Sequence, residues 1–199
     1  VHSVTWSPDG TRLASASLDG TVREWHAGTG TLLAVLGDEQ HGAIWSVDWS
    51  PDGQKLAAGT SDGRVRVWKV DGTPLAMLNG CVGLLTSVAW SPDGQQLAAG
   101  SSEAMICIWN TTTGSLVRLL KGHTRPVENV AWSPDGKLLA SGSMDGTLRI
   151  WDANVGIILS VLNERTGPVT SVAWSPDGTC LAAGYWDTSV RLWGAAEDY

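Results

Sequence analysis

The sequence predicts an all-β fold assembled from repeated four-stranded antiparallel sheets, and three observations lead there. The string WSPDG begins at Trp6, Trp49, Trp90, Trp132 and Trp174, at intervals of 43, 41, 42 and 42 residues. A second tryptophan follows each of these 19 residues later, at Trp25, Trp68, Trp109, Trp151 and Trp193, so ten of the 12 tryptophans belong to a repeat. Between them, short apolar runs alternate with Pro-Asp-Gly and Asp-Gly turn signals, which is the pattern of hairpins. A period of about 20 to 50 residues marks an array of stacked units.

The unit around Trp132 shows the elements in order. A strand over 127–132 leads into the turn Ser133-Pro134-Asp135-Gly136, a second strand over 138–143 into Asp145-Gly146, and a third runs over 147–151. A fourth run, 157–162, follows the turn around Asn154 to Gly156, with counterparts at 32–36, 74–78 and 116–120. A lone four-stranded meander cannot bury both faces, so the copies must stack, and a radial stack lets each blade bury against two neighbours. This is a β-propeller, one domain over 1–199 with units near 1–40, 41–81, 82–123, 124–165 and 166–199. After Trp193 no apolar fourth run follows, so 19 strands are expected and the last blade lacks its outer strand. The chain is expected to be part of a larger ring; a closed five-bladed ring, or an open arc whose edges pair with another chain, are the alternatives.

Composition narrows the function. With 43% hydrophobic and 17% charged residues and no apolar run of bilayer length, neither disorder nor membrane insertion is expected. The net charge of -7, with basic residues scattered, argues against nucleic acid. Cys81, Cys107 and Cys180 lie far apart, cannot all pair and show no C-x-x-C spacing, which suggests a reducing compartment, cytoplasmic or nuclear. Val1 stands where an initiator methionine is expected, and no leader precedes it, so a trimmed chain is expected.

The period near 42, the Gly122-His123 pair before a first strand, the Ser141 to Asp145 spacing and the closing Trp151-Asp152 resemble the WD-repeat propellers. The resemblance covers nearly the whole chain. It implies that His123, Ser141, Asp145 and Trp151 form a buried hydrogen-bond tetrad, which gives buried polar groups partners. Other units depart from it. Cys81 and Arg165 stand in the position of His123, Gln40 takes that register in unit two with His41 one place late, and Ala58, Ala99 and Ala183 replace Ser141. Glu103 replaces the Asp of Asp19, Asp62, Asp145 and Asp187. Those blades are expected to rely on packing instead.

Catalysis finds little material. The four histidines are His2, His26, His41 and His123, and no H-E-x-x-H, G-x-S-x-G or phosphate-binding glycine loop occurs. Asp48 is the one inner-strand carboxylate among Thr5, Ala89, Ala131 and Ala173, and one carboxylate does not supply both roles of a glycosidase. It is read as paired with a neighbouring arginine or lying beside channel water. The Asp residues of the PDG turns are read as turn formers, and no metal or other cofactor is expected. Arg23, Arg66, Arg149 and Arg191, a column broken by Cys107, are read as pairing or stacking between blades. Cys107 and Cys180 are read as small hydrophobes, and Asn110-Thr111-Thr112 as a turn.

Binding is better supported, because repeats reveal which positions are free to differ. Four residues before each WSPDG tryptophan stand His2, Trp45, Thr86, Glu128 and Thr170; before the acidic turn residue stand Leu18, Ser61, Ser102, Met144 and Trp186. The resemblance implies that these columns, with Ala43, Leu84, Pro126 and Pro168, surround the channel mouth on the face that commonly binds peptides and proteins. Trp45 and Trp186 are the expected anchors, with Met144, Leu18 and His2 as a rim and Glu128 as acceptor of a basic side chain. The expected function is a noncatalytic scaffold for a protein or peptide partner, with self-association through open blade edges. An oligosaccharide-cleaving enzyme and a purely structural subunit are the alternatives.

Overall fold

The same turn joins the first two strands of each blade. The Ser7 hydroxyl donates to Asp9 Oδ1 (2.6 Å), which also accepts from the Thr11 amide (3.0 Å), while Ser7 Oγ accepts from the Arg12 amide (2.9 Å). Gly10 completes the turn at φ 69°. The network recurs around Asp52, Asp93, Asp135 and Asp177. These bonds favour the ionised carboxyl and hold Asp9 and Asp177 down to about 2.

The computed structural model describes residues 1–37, 42–163 and 167–194, and these form strands and turns without helices. The readings placed on Gln40, His41, Arg165 and the 195–199 tail lie outside the described residues. Blade one comprises β1 (Ser3–Trp6), β2 (Arg12–Ala16), β3 (Thr21–His26) and β4 (Leu32–Gly37). Blade two comprises β5 (Ile44–Trp49), β6 (Lys55–Thr60), β7 (Val65–Lys69) and β8 (Pro74–Leu78). Blade three comprises β9 (Leu85–Trp90), β10 (Gln96–Ser101), β11 (Met105–Asn110) and β12 (Leu116–Lys121). Blade four comprises β13 (Val127–Trp132), β14 (Leu138–Ser143), β15 (Leu148–Asp152) and β16 (Ile158–Leu162). Blade five holds β17 (Val169–Trp174), β18 (Cys180–Tyr185) and β19 (Val190–Gly194), three strands among the described residues. Every pairing is antiparallel and sequential.

The cores lie between blades. Val22 and Leu36 of blade one pack with Val47 and Trp49 of blade two, and the same arrangement repeats at the next three junctions. Close approach requires glycine on the second strands of blades two, three and four: a Cβ on Gly59, Gly100 or Gly142 would lie 2.9, 2.8 or 2.6 Å from a valine methyl of the next blade. Polar ties cross the same junctions. Ser46 Oγ accepts from the Val88 amide (3.0 Å), and Asn129 Oδ1 accepts from the Val172 amide (3.0 Å). Trp132 and Trp174 donate their indole N–H to Ala89 O and Ala131 O.

Two flanks remain uncovered. Val4 and Trp6 are each 59% exposed, whereas Val47 and Trp49, their equivalents, are 4% exposed. On blade five, Val190 and Leu192 are 72% and 69% exposed where Val65 and Val67 are buried.

The second hairpin turns hold Gly20, Gly63 and Gly146 at positive φ, but Ala104 and Thr188 occupy that column at φ 61° and 70°. A β-branched residue is strained there. Thr188→Gly is expected to raise stability by about 1 kcal/mol, read as a higher urea midpoint with an unchanged slope; an unchanged midpoint would mean that the turn relaxes around threonine.

Candidate functional site

In blade four the tetrad residues are joined in sequence. Trp151 Nε1 donates to Ser141 Oγ (2.8 Å), Ser141 Oγ lies 2.7 Å from His123 Nε2, and His123 Nδ1 lies 2.9 Å from Asp145 Oδ2. Burial lowers the His123 proton affinity, with Asp145 opposing the shift. A neutral ring fits: Nδ1–H donates to the carboxylate and Nε2 accepts from the serine hydroxyl. The chain of bonds positions the segment before β13, and with it the start of the inner strand.

The departing blades do not rely on packing alone, which corrects that expectation. In blade one Trp25 Nε1 donates to Ser15 Oγ (2.9 Å), and Arg23 pairs with Asp19 (3.1 Å). In blade five the Arg191 guanidinium lies 5.4 Å from the Tyr185 ring centre. In blade three Ala99 supplies no hydroxyl, and Trp109 Nε1 donates to Asn79 O instead (2.7 Å). Cys81 and Cys107 form a disulfide there, with Cα atoms 5.9 Å apart. Cys107 is therefore not the inert hydrophobe expected, and the cysteine argument for a reducing compartment loses its basis. The repeat did carry a signal, because Cys81 breaks the His123 column and Cys107 the Arg149 column in the same blade. Cys180 is free and half-buried.

Asp48 is half-buried and ties blade two to blade three. Its Oδ1 accepts from the Trp49 amide (3.0 Å) and its Oδ2 from the Trp90 amide (2.9 Å), so its partners are backbone amides and not a neighbouring arginine. Burial pushes its carboxyl up to about 7 against these two bonds. Among the described residues no group of three or more His, Cys, Asp or Glu gathers to hold a metal.

Four members of the column, Trp45, Thr86, Glu128 and Thr170, share a backbone feature that the sequence did not reveal. The β5 register passes from Ile44 opposite Thr60 to Ser46 opposite Gly59, which leaves Trp45 as an extra residue. Glu128 and Thr170 are skipped identically in β13 and β17, and Thr86 in β9. Each is a β-bulge, which takes a residue out of the pairing and re-aims its side chain.

Two members of the column meet. The His2 and Trp45 rings lie edge to face, 4.3 Å between centres, and His2 Nδ1 is 3.1 Å from Trp45 O. Burial raises the half-buried Glu128 carboxyl, and the charge of His2 opposes it. Trp45 is half-buried with its indole N–H enclosed and without a hydrogen-bond partner. Trp186, Leu18 and Met144 stand apart from this group in the second hairpin turns of blades five, one and four. Trp186 is 64% and Leu18 53% exposed, and Met144 is half-buried, its carbonyl accepting from Arg125 Nη1 (3.1 Å).

Stacked antiparallel blades, the tetrad and the bulged inner strands define a WD-type propeller. Residues 45–198 match the family model described as the WDR19 first beta-propeller, and residues 1–26 match the WD domain, G-beta repeat. The chain belongs to the WD-repeat propeller family, whose members are typically noncatalytic scaffolds for protein interactions. No curated protein matches it.

Proposed function

We propose that this chain is a noncatalytic scaffold that captures a peptide segment of a protein partner on the face carrying the bulged column. The observation that carries the reading is the row of bulges, which turns Trp45 and Glu128 out of the sheet pairing while their neighbours stay in register. Trp186 offers a large, exposed aromatic surface and one N–H donor, the kind of side chain that dominates interface energetics. Leu18 and Met144 supply an apolar rim, His2 covers Trp45, and Glu128 receives a basic side chain of the partner.

The test is selection of random dodecapeptides displayed on phage against the immobilised chain. Enriched peptides are expected to lose affinity about tenfold or more on Trp186→Ala, and further on the Trp45→Ala/Trp186→Ala double variant, with thermal unfolding unchanged. Trp6→Ala, on the uncovered flank, serves as the control. Peptides that bind the double variant undiminished, or that are lost on Trp6→Ala instead, would remove this face from consideration.

A further inference from the structure

Blade three departs from the repeat at three connected places: Cys81 stands in the column of His123, Ala99 in that of Ser141 and Cys107 in that of Arg149. In blade four the first and last of these columns are spatial neighbours, because the Arg149 charge acts on His123. In blade three the same two positions are covalently joined across 26 residues of sequence. The bond ties the segment 79–84, which leads from β8 into β9, to the central strand β11. Four hydrogen bonds accompany it: Trp109 Nε1 to Asn79 O (2.7 Å), Ser101 Oγ to Val82 O (2.8 Å), the Leu84 amide to Ser102 Oγ (3.0 Å) and the Ser102 amide to Leu84 O (2.9 Å).

The two sulfurs are not equivalent. Cys107 is fully buried, whereas Cys81 is partly exposed and is followed by Val82, which is 60% exposed. We propose that Cys81–Cys107 is a reversible thiol–disulfide site, addressed by dithiol reductants through Cys81, whose reduction releases the segment 79–84. A thiolate of the dithiol attacks Cys81 Sγ; the Cys81–Cys107 bond breaks, and Cys107 leaves with the electron pair and takes up a proton. The second thiolate of the reductant then attacks its own sulfur in the mixed disulfide and frees Cys81, which is protonated in turn. Two electrons have passed to the protein, and the dithiol ends as a cyclic disulfide. With Ala99 and Cys81 in place of Ser141 and His123, the reduced blade has no tetrad to fall back on. Hydrogen bonds and packing, with no covalent tie, then hold the segment. Leu84 belongs to the column bordering the bulged residues, so an effect on partner capture rests on the proposed function; the release itself does not.

The experiment uses the full chain with Cys180→Ser, which removes exchange with the free thiol. Dithiothreitol is added without denaturant, free thiols are counted by maleimide mass shift, and hydrogen exchange is followed by mass spectrometry. Two thiols should appear while the far-ultraviolet and tryptophan signals of the fold persist. Exchange over 79–84 should accelerate about tenfold or more, with the blade-four counterpart 121–126 unchanged, and reoxidation should reverse it. A Cys81→Ser/Cys107→Ser variant should reproduce the reduced pattern under oxidising conditions; if it does not fold, the dithiothreitol arm still decides. Thiols that are free before reductant is added, thiols that appear only with global unfolding, or unchanged exchange over 79–84 after reduction would each overturn the proposal.

Discussion

Asp48→Ala is expected to stabilise the protein at pH 8 far more than at pH 4. The native carboxyl titrates near 7, against about 3.8 for the unfolded chain, because burial outweighs the Trp90 and Trp49 amides. Between these values the native state holds the proton more tightly than the unfolded state, so the Asp48 contribution is most favourable below pH 4 and is lost as pH rises through 7. A displacement of that size corresponds to about 4 kcal/mol. Alanine suits the site, since Ala89, Ala131 and Ala173 occupy it in the following blades. Urea unfolding of both proteins from pH 4 to 8 should show their difference changing by about 4 kcal/mol in favour of the variant. A difference independent of pH would mean that Asp48 is ionised throughout or solvated. His123 acts in the opposite direction, because its native proton affinity is depressed; protonation of the unfolded chain removes stability as pH falls below about 6.5. Below pH 4 the turn carboxylates held near 2, such as Asp9, Asp19 and Asp177, add a further loss of stability.

His123→Ala should cost about 3 kcal/mol, because it strips partners from Ser141 and from a carboxylate whose side chain is 5% exposed. Ser141→Ala should cost about 2 kcal/mol, since it orphans His123 Nε2 and the Trp151 indole N–H. The double variant is expected to cost about 1 to 2 kcal/mol less than the sum of the two, because each single change leaves the other group buried and unsatisfied. Blade three already lacks both side chains and positions its tryptophan with a backbone carbonyl. Strict additivity in denaturant unfolding would show that the bonds of the tetrad act independently.

Much of the site's outline was legible from the repeat, whose variable column singles out Trp45 and Glu128. The reason for the variation was not legible, because a bulge is a mismatch between two strands and leaves no mark in the composition of either. The Asp48 environment was misjudged for a related reason. Position in the repeat placed it on an inner strand but did not say whether it faced the channel or the next blade. The disulfide required knowing that the His123 and Arg149 columns are neighbours, although they lie 26 residues apart.

The sequence by itself determined the blades. Each turn is built from residues within a few positions of one another, as in Ser7, Asp9 and Arg12, so five copies of WSPDG suffice to specify five hairpins and their period. Only the tertiary structure decided what happens between blades and across strands: which residues bulge out, which carboxylate bridges two blades, which cysteines meet and which flanks stay uncovered. Those outcomes depend on contacts between residues about 13 to 45 positions apart, where burial and register are set by the paired strand or the stacked neighbour and not by local propensity.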